Sequence, residues 1–523
     1  MKRRKILFIA AAMCVIVTAG FGVRAEAGSF GDLQKIVKEA APGSVLVLSE
    51  DYTYDLSTDA AVPKEGITVD KAITIDGAGH TIDAIGAVRV FTVAADNAAF
   101  KNLTITKGGS TVSGGGVYVN QSLSASFEKV KIIKCGSEKG VHTKDGGAAL
   151  FVDSKAQVTF TDCEISDNVG KDRAGGIYMR GNAVFKNTKI MNNTGGSRGG
   201  GIYVDPGYKA PNRGGEWGGN IKMYNCTIMG NKGGRGGGIY VNAENETLNI
   251  FENCTISSND VSANSIGNGG GILFYNANGK LVNCTITGNR AKNGGGVILD
   301  VASKLELVNC TIASNVATVG GAGLYAHDGS HPEDTMKAVG TANFMGCVIV
   351  GNKLGTGVPQ DISVHYSDNA DKETKPELGP WVARYDGNFK SGGYNVLGTV
   401  DLAKPENVSL DVSITLDASD LKDQAANSVL KYDGESPALA DNGGYVPTVA
   451  LAEKSPALYF IPAGTSWLPA TDARGTSRRN GAKNDAGAYG DKTDDSSSGG
   501  CAAASFPLIL LAFGALTMIY KKR

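Results

Sequence analysis

A repeated phrase limits the folds open to this chain more than any other feature. Its clean copies read Asn-Cys-Thr-Ile, with a further Asn three residues after the Ile, and they begin at Asn253, Asn283 and Asn309. Between copies lies a second phrase, glycines followed by an apolar–Tyr–apolar triplet, as at Gly199–Val204 and Gly236–Val241. A period of about 25–38 residues is typical of solenoids, in which each repeat forms one coil. Looser copies of the first phrase begin at Asp162, Asn187, Asn225 and Gly346.

Superimposing the copies shows columns of like residues. An apolar residue lies three positions before the Cys, an Ile lies two positions after it, and an Asn lies five positions after it. The alternation within Cys-Thr-Ile and Ile-Tyr-Val predicts short strands, and the glycines oppose a helix. Coils stacked about 4.8 Å apart would let each Asn amide bond the next, so the repeat predicts an all-β parallel β-helix. The predicted Asn ladder consists of Asn168, Asn193, Asn231, Asn259, Asn289, Asn315 and Asn352.

Cysteine follows the same period. Seven of the nine Cys are assigned to one repeat position, which Thr188 occupies once. Parallel Cβ atoms about 4.8 Å apart fall outside the usual geometry of disulfides, and a linear file does not form the tetrahedron of a zinc site. We therefore expect a buried column of free thiols, and we interpret the Asn-Cys-Thr triplets as turns rather than glycosylation sites. The column is assigned to Cys135, Cys163, Cys226, Cys254, Cys284, Cys310 and Cys347.

The first 27 residues have the features of a secretory signal peptide. A basic start is followed by an apolar run from Ile6 to Val17 and by an A-x-A cleavage site that ends at Ala27. Cleavage there would make Gly28 the first mature residue. We therefore expect an exported protein.

Residues 28–60 are predicted to cap the solenoid. Leu33 and Val37 lie on one face of a helix that Pro42-Gly43 ends, and an open solenoid needs such a cap. This start, and the phrases between Gly114 and Asn352, resemble the pectin-lyase-like superfamily and its surface-displayed β-helix repeats. The resemblance implies a right-handed, single-stranded parallel β-helix over residues 61–390 with an N-terminal capping helix. It implies no activity, because unrelated functions share one fold.

A different pattern occupies residues 391–490. Its phrases occur in the order of the choice-of-anchor Q domain of bacterial surface proteins, which this segment resembles, although Gly490 stands where that family usually has an acidic residue. The resemblance implies a module that ends the β-helix before a cell-surface anchor. We interpret Asp472 and Arg474 as a structural pair. The phrases are Gly392–Gly398, Asp441–Gly444, Ser455–Ala457, Thr471–Gly475 and Asn484–Tyr489.

The chain ends in a polar linker, residues 491–500, and in residues 501–523, which have the features of a membrane anchor. Ala502–Tyr520 is almost wholly apolar and long enough to span a bilayer core as a helix, and a basic cluster follows that should stay cytoplasmic. The tail resembles Synergist-type and glycine-glycine CTERM sorting signals. That resemblance implies cutting near Gly499, Gly500 and Cys501 and transfer to an envelope anchor at the bacterial cell surface. A plain single-pass anchor is the alternative.

Two features are candidates for ligand binding. The long segments Asp205–Asn220 and Ala326–Thr341 both follow a glycine–Tyr strand, so they should leave one edge of the solenoid about four coils apart, and such loops often bind ligands. Arg173, Arg198 and Arg235 precede successive glycine corners and form a basic stripe that would suit an acidic glycan. A solvated edge is the alternative for this stripe.

The function is less constrained than the fold. Polysaccharide lyases and glycoside hydrolases use clustered carboxylates, to hold Ca²⁺ or as an acid–base pair, and the repeats contain no such motif. The formal net charge of −1 gives no argument for nucleic acid. We therefore expect a non-enzymatic surface protein, without cofactor or metal, that binds extracellular polysaccharide or a host or cell-surface partner. A lyase or hydrolase and a structural surface-layer protein remain the alternatives.

Overall fold

Three long parallel sheets, here called A, B and C, make up most of the fold. Each coil passes through sheet B, then sheet A, then sheet C, and the described part of the chain places 13 strands in A, 13 in B and 12 in C. The predicted all-β parallel β-helix is therefore confirmed. The computed structural model describes residues 27–109, 113–136, 146–205, 219–243, 247–265, 267–300, 302–327, 340–365, 388–402 and 413–491.

The strands are short, and their bounds follow the repeat. Sheet A contains Gly28–Ser29, Tyr52–Thr53, Thr81–Asp83, Thr104–Thr106, Lys131–Ile133, Glu164–Ser166, Lys189–Met191, Thr227–Met229, Thr255–Ser257, Thr285–Thr287, Thr311–Ala313, Val348–Val350 and Val396–Leu397. Sheet B contains Val45–Val47, Thr74–Asp76, Ala98–Lys101, Ser124–Glu128, Gln157–Thr161, Asn182–Lys186, Asn220–Tyr224, Leu248–Glu252, Asn278–Val282, Lys304–Val308, Thr341–Met345, Asn388–Ser391 and Ser413–Thr415. Sheet C contains Ile67–Val69, Phe91–Val93, Val117–Val119, Leu150–Val152, Ile177–Met179, Ile202–Val204, Ile239–Asn242, Ile272–Tyr275, Val297–Asp300, Leu324–His327, Ile362–His365 and Val400–Leu402.

Smaller elements complete the described fold. A three-stranded sheet lies between sheets A and C in chain order, and two short antiparallel hairpins lie near the C-terminus. The strands are Arg290–Asn293, Val316–Gly320 and Lys353–Leu354 in the small sheet, and Tyr432–Asp433 with Ser436–Pro437 and Leu439–Ala440 with Thr448–Val449 in the hairpins. The helices are Phe30–Glu39 and Ala426–Val429.

The corners of one coil explain why the repeat folds in this way. Asn253, with φ of 53°, turns the chain from sheet B into sheet A, and Ser258, with φ of 55°, turns it out again. Asn tolerates this left-handed conformation better than most residues. Between the corners Ile256 is fully buried and stacks on Ile228 and Ile286 of the adjacent coils. Like residues therefore lie on like residues, as the repeat predicts.

The seven Asn side chains form a continuous, fully buried ladder. Each Nδ2 donates to the Oδ1 of the Asn in the next coil at 2.8–3.0 Å, from Asn168 through to Asn352. The backbone N–H of each Asn donates to the same Oδ1 at 3.0–3.1 Å. At the last rung, Asn352 N and Nδ2 both donate to Oδ1 of Asp361 at 2.7 Å. Every rung thus satisfies buried amides that would otherwise cost free energy.

Five thiols on successive coils form a file where the sheet A strands begin, whereas the Asn ladder lies beyond the ends of these strands. All are buried and free of disulfides. Thr188 occupies the same position one coil earlier, because Lys189 pairs with Thr227 in sheet A. The file consists of Cys226, Cys254, Cys284, Cys310 and Cys347.

The assignment of Cys135 to this file is wrong. Ile132 pairs with Ile165, so Cys135 takes the position of Asn168 and belongs to the Asn ladder. Its backbone N–H accordingly donates to Asn168 Oδ1 at 2.8 Å. The assignment relied on residue type alone. Strand register shows that Val130, not Cys135, occupies the position of Cys163 in this coil.

The predicted N-terminal helix is confirmed as Phe30–Glu39, with Leu33 and Val37 buried. Ser29 and Asp32 form a capping box at its start. The carboxylate of Asp59 adds a second cap, accepting from the backbone N–H of Phe30 at 3.0 Å and of Gly31 at 2.8 Å. Ser29 itself belongs to the first strand of sheet A, so parallel pairing already begins within the segment predicted as a cap.

The C-terminal residues 420–490 fold back along the outer face of sheet A. Ala488 N donates to Thr311 Oγ1 at 3.0 Å, and Asn283 Nδ2 donates to the Thr471 carbonyl at 2.9 Å. Apolar side chains of this covering segment pack on Val348 and Val350 in a second core. Parallel pairing also continues to Ser413–Thr415, beyond residue 390. The segment therefore covers coils far from it in sequence.

The predicted Asp472–Arg474 pair is confirmed as a buried ion pair, with Nη2 and Oδ2 2.6 Å apart. Arg474 also donates to the carbonyl of Asn442 at 3.3 Å and lies 4.0 Å above the ring centre of Tyr489. Its guanidinium further donates to the carbonyl of Gly490. The pair therefore ties together three phrases that are far apart in the sequence.

Predictions for both ends of the chain lie outside the described residues. These are the signal peptide up to residue 26, the sorting residues Gly499, Gly500 and Cys501, and the transmembrane helix within residues 501–523. Among the residues that the structure describes, no helix is long and apolar enough to cross a membrane.

Candidate functional site

The outer face of sheet C carries a column of aromatic side chains. In the strand Ile202–Val204, Ile202 and Val204 belong to the inner core and Tyr203 belongs to a separate cluster on the other face. Tyr203 stacks on the Tyr178 ring with centroids 5.2 Å apart, and its centroid lies 5.1 Å from that of the tilted Tyr240 ring. Although they point outwards, these three tyrosines are at most 2% exposed.

Glycine corners make this burial sterically possible. Gly199 has φ of 61°, and a Cβ there would lie 2.7 Å from Tyr203 Cβ. Gly236 likewise has φ of 62°, and a Cβ there would lie 2.5 Å from Tyr240 Cβ. A larger residue would be strained by its backbone and would collide with the Cβ of the tyrosine and with nearby backbone atoms. The glycines before each Ile-Tyr-Val triplet are thus required by close approach.

The predicted arginine stripe lies beside these rings. Ile177, Ile202 and Ile239 are in register, so the arginines four residues before them share one position on successive coils. Arg198 Nη1 donates to the Tyr203 hydroxyl at 3.0 Å, and its guanidinium lies 5.7 Å from the ring centroid. All three arginines are half-buried, and Arg173 and Arg198 lie over aromatic rings. Its members are Arg173, Arg198 and Arg235.

A second column lies at the other end of the same strands, and sequence reasoning missed it. Met179 pairs with Val204, so Arg180 and Asp205, one residue further on, lie side by side at the ends of neighbouring strands. Tyr275 pairs with Asp300 two coils later. A sequence feature could have revealed this column, because a polar or charged residue repeatedly follows the apolar–aromatic–apolar triplet. The column comprises Asp153, Arg180, Asp205, Asn242, Tyr275 and Asp300.

Tyr178 links the two columns. Its hydroxyl donates to Asp205 Oδ2 and accepts from Arg173 Nη1 at 2.5 Å and from Arg180 Nη2 at 3.1 Å. Asp205 Oδ2 also lies 3.3 Å from Arg173 Nη1 and 3.6 Å from Arg180 Nε. One carboxylate oxygen therefore contacts two guanidinium groups.

Burial and the Asp205 carboxylate raise the pKa of Tyr178 well above its ordinary value. Two coils earlier, Tyr118 donates to Asp153 Oδ2 at 2.7 Å, and burial together with that bond raises its pKa as well. Arg89 lies 4.7 Å from the centroid of the Tyr118 ring, and burial lowers the pKa of this arginine to about 10. All three groups therefore keep their protons at neutral pH, as fixed donors rather than bases.

We call this surface the sheet C strip. It is a file of tyrosines between two columns of charged residues. It contains the aromatic residues Tyr118, Phe151, Tyr178, Tyr203 and Tyr240, the arginines Arg89, Arg173, Arg180, Arg198 and Arg235, and the carboxylates Asp153, Asp205 and Asp300.

The two long segments singled out in the sequence begin at this strip. Val204 and Ala326 occupy the same strand position four coils apart, through Val241, Phe274 and Leu299. Residues 206–218 and 328–339 lie outside the described residues, and so do most of the residues from His327 to His331 that have metal-ligand types. In the part of the chain that is described, no group of three or more His, Cys, Asp or Glu side chains could hold a metal ion.

Comparison with known families agrees with this architecture. The model of the right handed beta helix region matches residues 87–276 and 214–372, which together exceed half of the chain. The chain belongs to the right-handed beta helix family. None of the curated proteins matches its sequence.

Solved structures of similar β-helices include two kinds of alginate-acting protein. The periplasmic alginate epimerase AlgG matches with 13% identity and a TM-score of 0.35, covering 74% of this chain and 88% of that one. A PL6 alginate lyase in complex with a trisaccharide matches with 11% identity and a TM-score of 0.35, covering 86% and 92%. At this level of similarity the matches carry no argument about function.

Proposed function

We propose that this β-helix is an exported envelope protein whose sheet C strip binds an acidic polysaccharide without turning it over. The observation that carries the proposal is the charge of the strip. Four half-buried arginines, Arg173, Arg180, Arg198 and Arg235, lie there with three carboxylates, on a chain whose formal net charge is −1. A local excess of positive charge attracts anionic ligands.

The arrangement of the arginines supports this ligand class. Arg198 donates to a tyrosine hydroxyl and, among the described residues, forms no ion pair, so its remaining donors suit a carboxylate or sulfate. The rings of Tyr178 and Tyr203 hold Arg173 and Arg198 in place, which reduces the entropy lost on binding. Repetition along the coils suits a polymer whose charges also repeat.

Binding is tested by isothermal titration of the full chain with polygalacturonate, with neutral dextran as the control ligand. We expect Arg198→Gln to weaken polygalacturonate binding about tenfold, equivalent to about 1.4 kcal/mol. Lys186→Gln, which removes an exposed charge on sheet B, is the matched control and should bind like the wild type. Added salt should weaken binding. Equal binding by Arg198→Gln and wild type would contradict the proposal.

A polysaccharide lyase is the second candidate, and one observation favours it. Arg173, Tyr178, Arg180 and Asp205 form a connected group of titratable and cationic side chains, the kinds of group that acid–base catalysis uses. The burial and raised pKa of Tyr178 oppose its use as a base, so we place binding first. Release of unsaturated sugars from polygalacturonate, abolished by Tyr178→Phe, would reverse this order. Ordered arrays on cells without any glycan ligand would instead favour a surface-layer protein.

The proposal includes anchoring through the C-terminus, which rests on the sequence alone. The apolar run Ala502–Tyr520 and the preceding Gly499-Gly500-Cys501 support a cleaved sorting tail. Mass spectrometry of the mature protein from cells should find Gly28 at its start and no residue beyond the glycine pair. An intact Arg523 would leave a plain membrane anchor instead.

A further inference from the structure

The thiol file has a regular geometry that the glycan proposal does not use. In Cys254, Cys284 and Cys310, Sγ lies 3.3–3.5 Å from the carbonyl two residues earlier in its own coil. Each also lies 3.4–3.5 Å from a carbonyl of the preceding coil, that of the residue three positions before the Cys of that coil. The side chains therefore share one orientation, and successive sulfurs repeat at the strand spacing of about 4.8 Å.

We propose that neighbouring thiols of this file form two-coordinate sites for a soft divalent cation, with the mercuric ion as the probe. A zinc–thiolate bond is about 2.3 Å long, and two opposed bonds of that length span about 4.6 Å. This length matches the spacing of the sulfurs. Two donors suffice for a linear ion, so the lack of three-ligand groups among the described side chains is no obstacle.

Charge balance selects a divalent ion. At each site two S–H bonds break, two bonds between sulfur and metal form, and two protons pass to the solvent. A dication with two thiolates is neutral, whereas a monovalent ion would leave a negative charge in the core at a large desolvation cost. Burial raises the pKa of Cys254, Cys284 and Cys310, so only strongly thiophilic cations displace these protons.

The file predicts an unusual stoichiometry. If each thiolate serves one ion, five successive thiols hold two ions and leave one thiol over. Without the second thiol, Cys254, the first thiol has no neighbour. The last three thiols then form one pair and leave one thiol unused. Removing the fifth, Cys347, leaves two complete pairs. A variant without Cys254 should therefore bind one ion fewer than a variant without Cys347, although each lacks a single thiol.

Serine is a suitable replacement at these positions. Thr188 already occupies the column, and its hydroxyl donates to the Lys186 carbonyl at 2.9 Å, the acceptor that the thiols use in their own coils. A hydroxyl is thus compatible with the fold here.

The test is equilibrium dialysis of the full chain against mercuric chloride, with the bound metal counted by mass spectrometry. We expect Cys254→Ser to bind one ion fewer than the wild type, and Cys347→Ser to bind the same number as the wild type. The remaining cysteines contribute equally to all three proteins, so the differences count ions in the file. Proton release should be two per ion in the file.

Two results would overturn the proposal. If Cys254→Ser and Cys347→Ser each bound fewer mercuric ions than the wild type, by the same number, the thiols would bind ions independently. Equal binding by all three proteins would mean that no ion enters the file. Circular dichroism of each variant checks that the β-helix is intact, and Cys310→Ser should repeat the Cys254→Ser result.

Discussion

At the scale of single residues, the buried Asn ladder concentrates hydrogen bonds that have no substitute. Asn259 Oδ1 accepts both the backbone N–H of Asn231 at 3.0 Å and its Nδ2 at 2.9 Å. Replacing Asn259 with Leu leaves both donors buried without this acceptor, at about 1–3 kcal/mol each. We expect urea unfolding to show a loss of roughly 2–5 kcal/mol for Asn259→Leu, whereas Gln157→Leu on the exposed face of sheet B should change stability little.

Asp361, which ends the ladder, gives a prediction about pH. Burial raises its pKa from 3.8 to about 6, against the opposing hydrogen bonds from Asn352 and Thr399. Because the folded pKa is the higher one, this group's contribution to stability is complete below about pH 4 and is lost as pH rises through about 6. The loss is at most about 3 kcal/mol.

Unfolding measured between pH 4 and pH 7 checks this prediction. Asp361→Asn does not titrate, and it keeps an oxygen for Asn352 while placing its amide against the N–H of Thr399. We expect the variant to lose much of the decline in stability seen in the wild type over this range. An unchanged decline would assign the pH dependence to other groups.

At the scale of elements, the covering segment explains why the outward residues of sheet A change along the chain. One register runs through Lys131, Glu164 and Lys189, where the face is open, and then through Thr285 and Thr311, where residues 420–490 cover it. The small hydroxyl side chains of the covered coils allow close packing, whereas the open coils carry either a long charged side chain, at Lys131, Glu164 and Lys189, or a threonine, at Thr81 and Thr104. A small side chain is therefore required only under the segment, and the open coils accept either kind.

Thr311→Lys tests this relation. The lysine would place a charge under the segment and remove the acceptor of Ala488 N, so residues 420–490 should detach while the coils stay folded. Limited proteolysis should then cut the segment at least tenfold faster with little change in circular dichroism. Thr104→Lys, at the same register on an open coil, is the control and should be cut like the wild type. Equal cutting rates for Thr311→Lys and wild type would contradict the prediction.

At the scale of the whole molecule, stability arises from contacts between neighbouring coils. Each strand of the three sheets pairs with the equivalent strand of the next coil, as in other solenoids. A whole coil is thus a unit that can be removed, whereas part of a coil is not. Cys163 and Thr188 occupy the same position in successive coils, so residues 163–187 span one such unit.

Deleting residues 163–187 should leave a folded β-helix with one coil fewer. The remaining Ile, Asn and Phe columns stay in register across the junction, because the excised segment is one complete period. Deleting only residues 163–175 shifts every later column relative to the earlier ones and should abolish cooperative unfolding. Thermal melts of both proteins by circular dichroism check the prediction, and similar melts for the two deletions would contradict it.

The sequence by itself determined the coil. Strand alternation and the repeated Ile and Asn positions predict two or three short strands, their corners and the inward face, because these features are local and recur many times. The buried ladder from Asn168 to Asn352 follows from that repetition. Cys135 shows the limit, since residue type suggested one column and strand register gave another.

Only the tertiary structure decided what lies on the outside of the coils. The covering segment joins residues 192 positions apart, Thr255 and Pro447, and no periodic signal encodes that contact. The sheet C strip likewise depends on Arg173, Tyr178 and Asp205 meeting across two coils. Inward positions face identical neighbours in every coil, so the repeat predicts them, whereas outward positions depend on whichever distant segment packs on them.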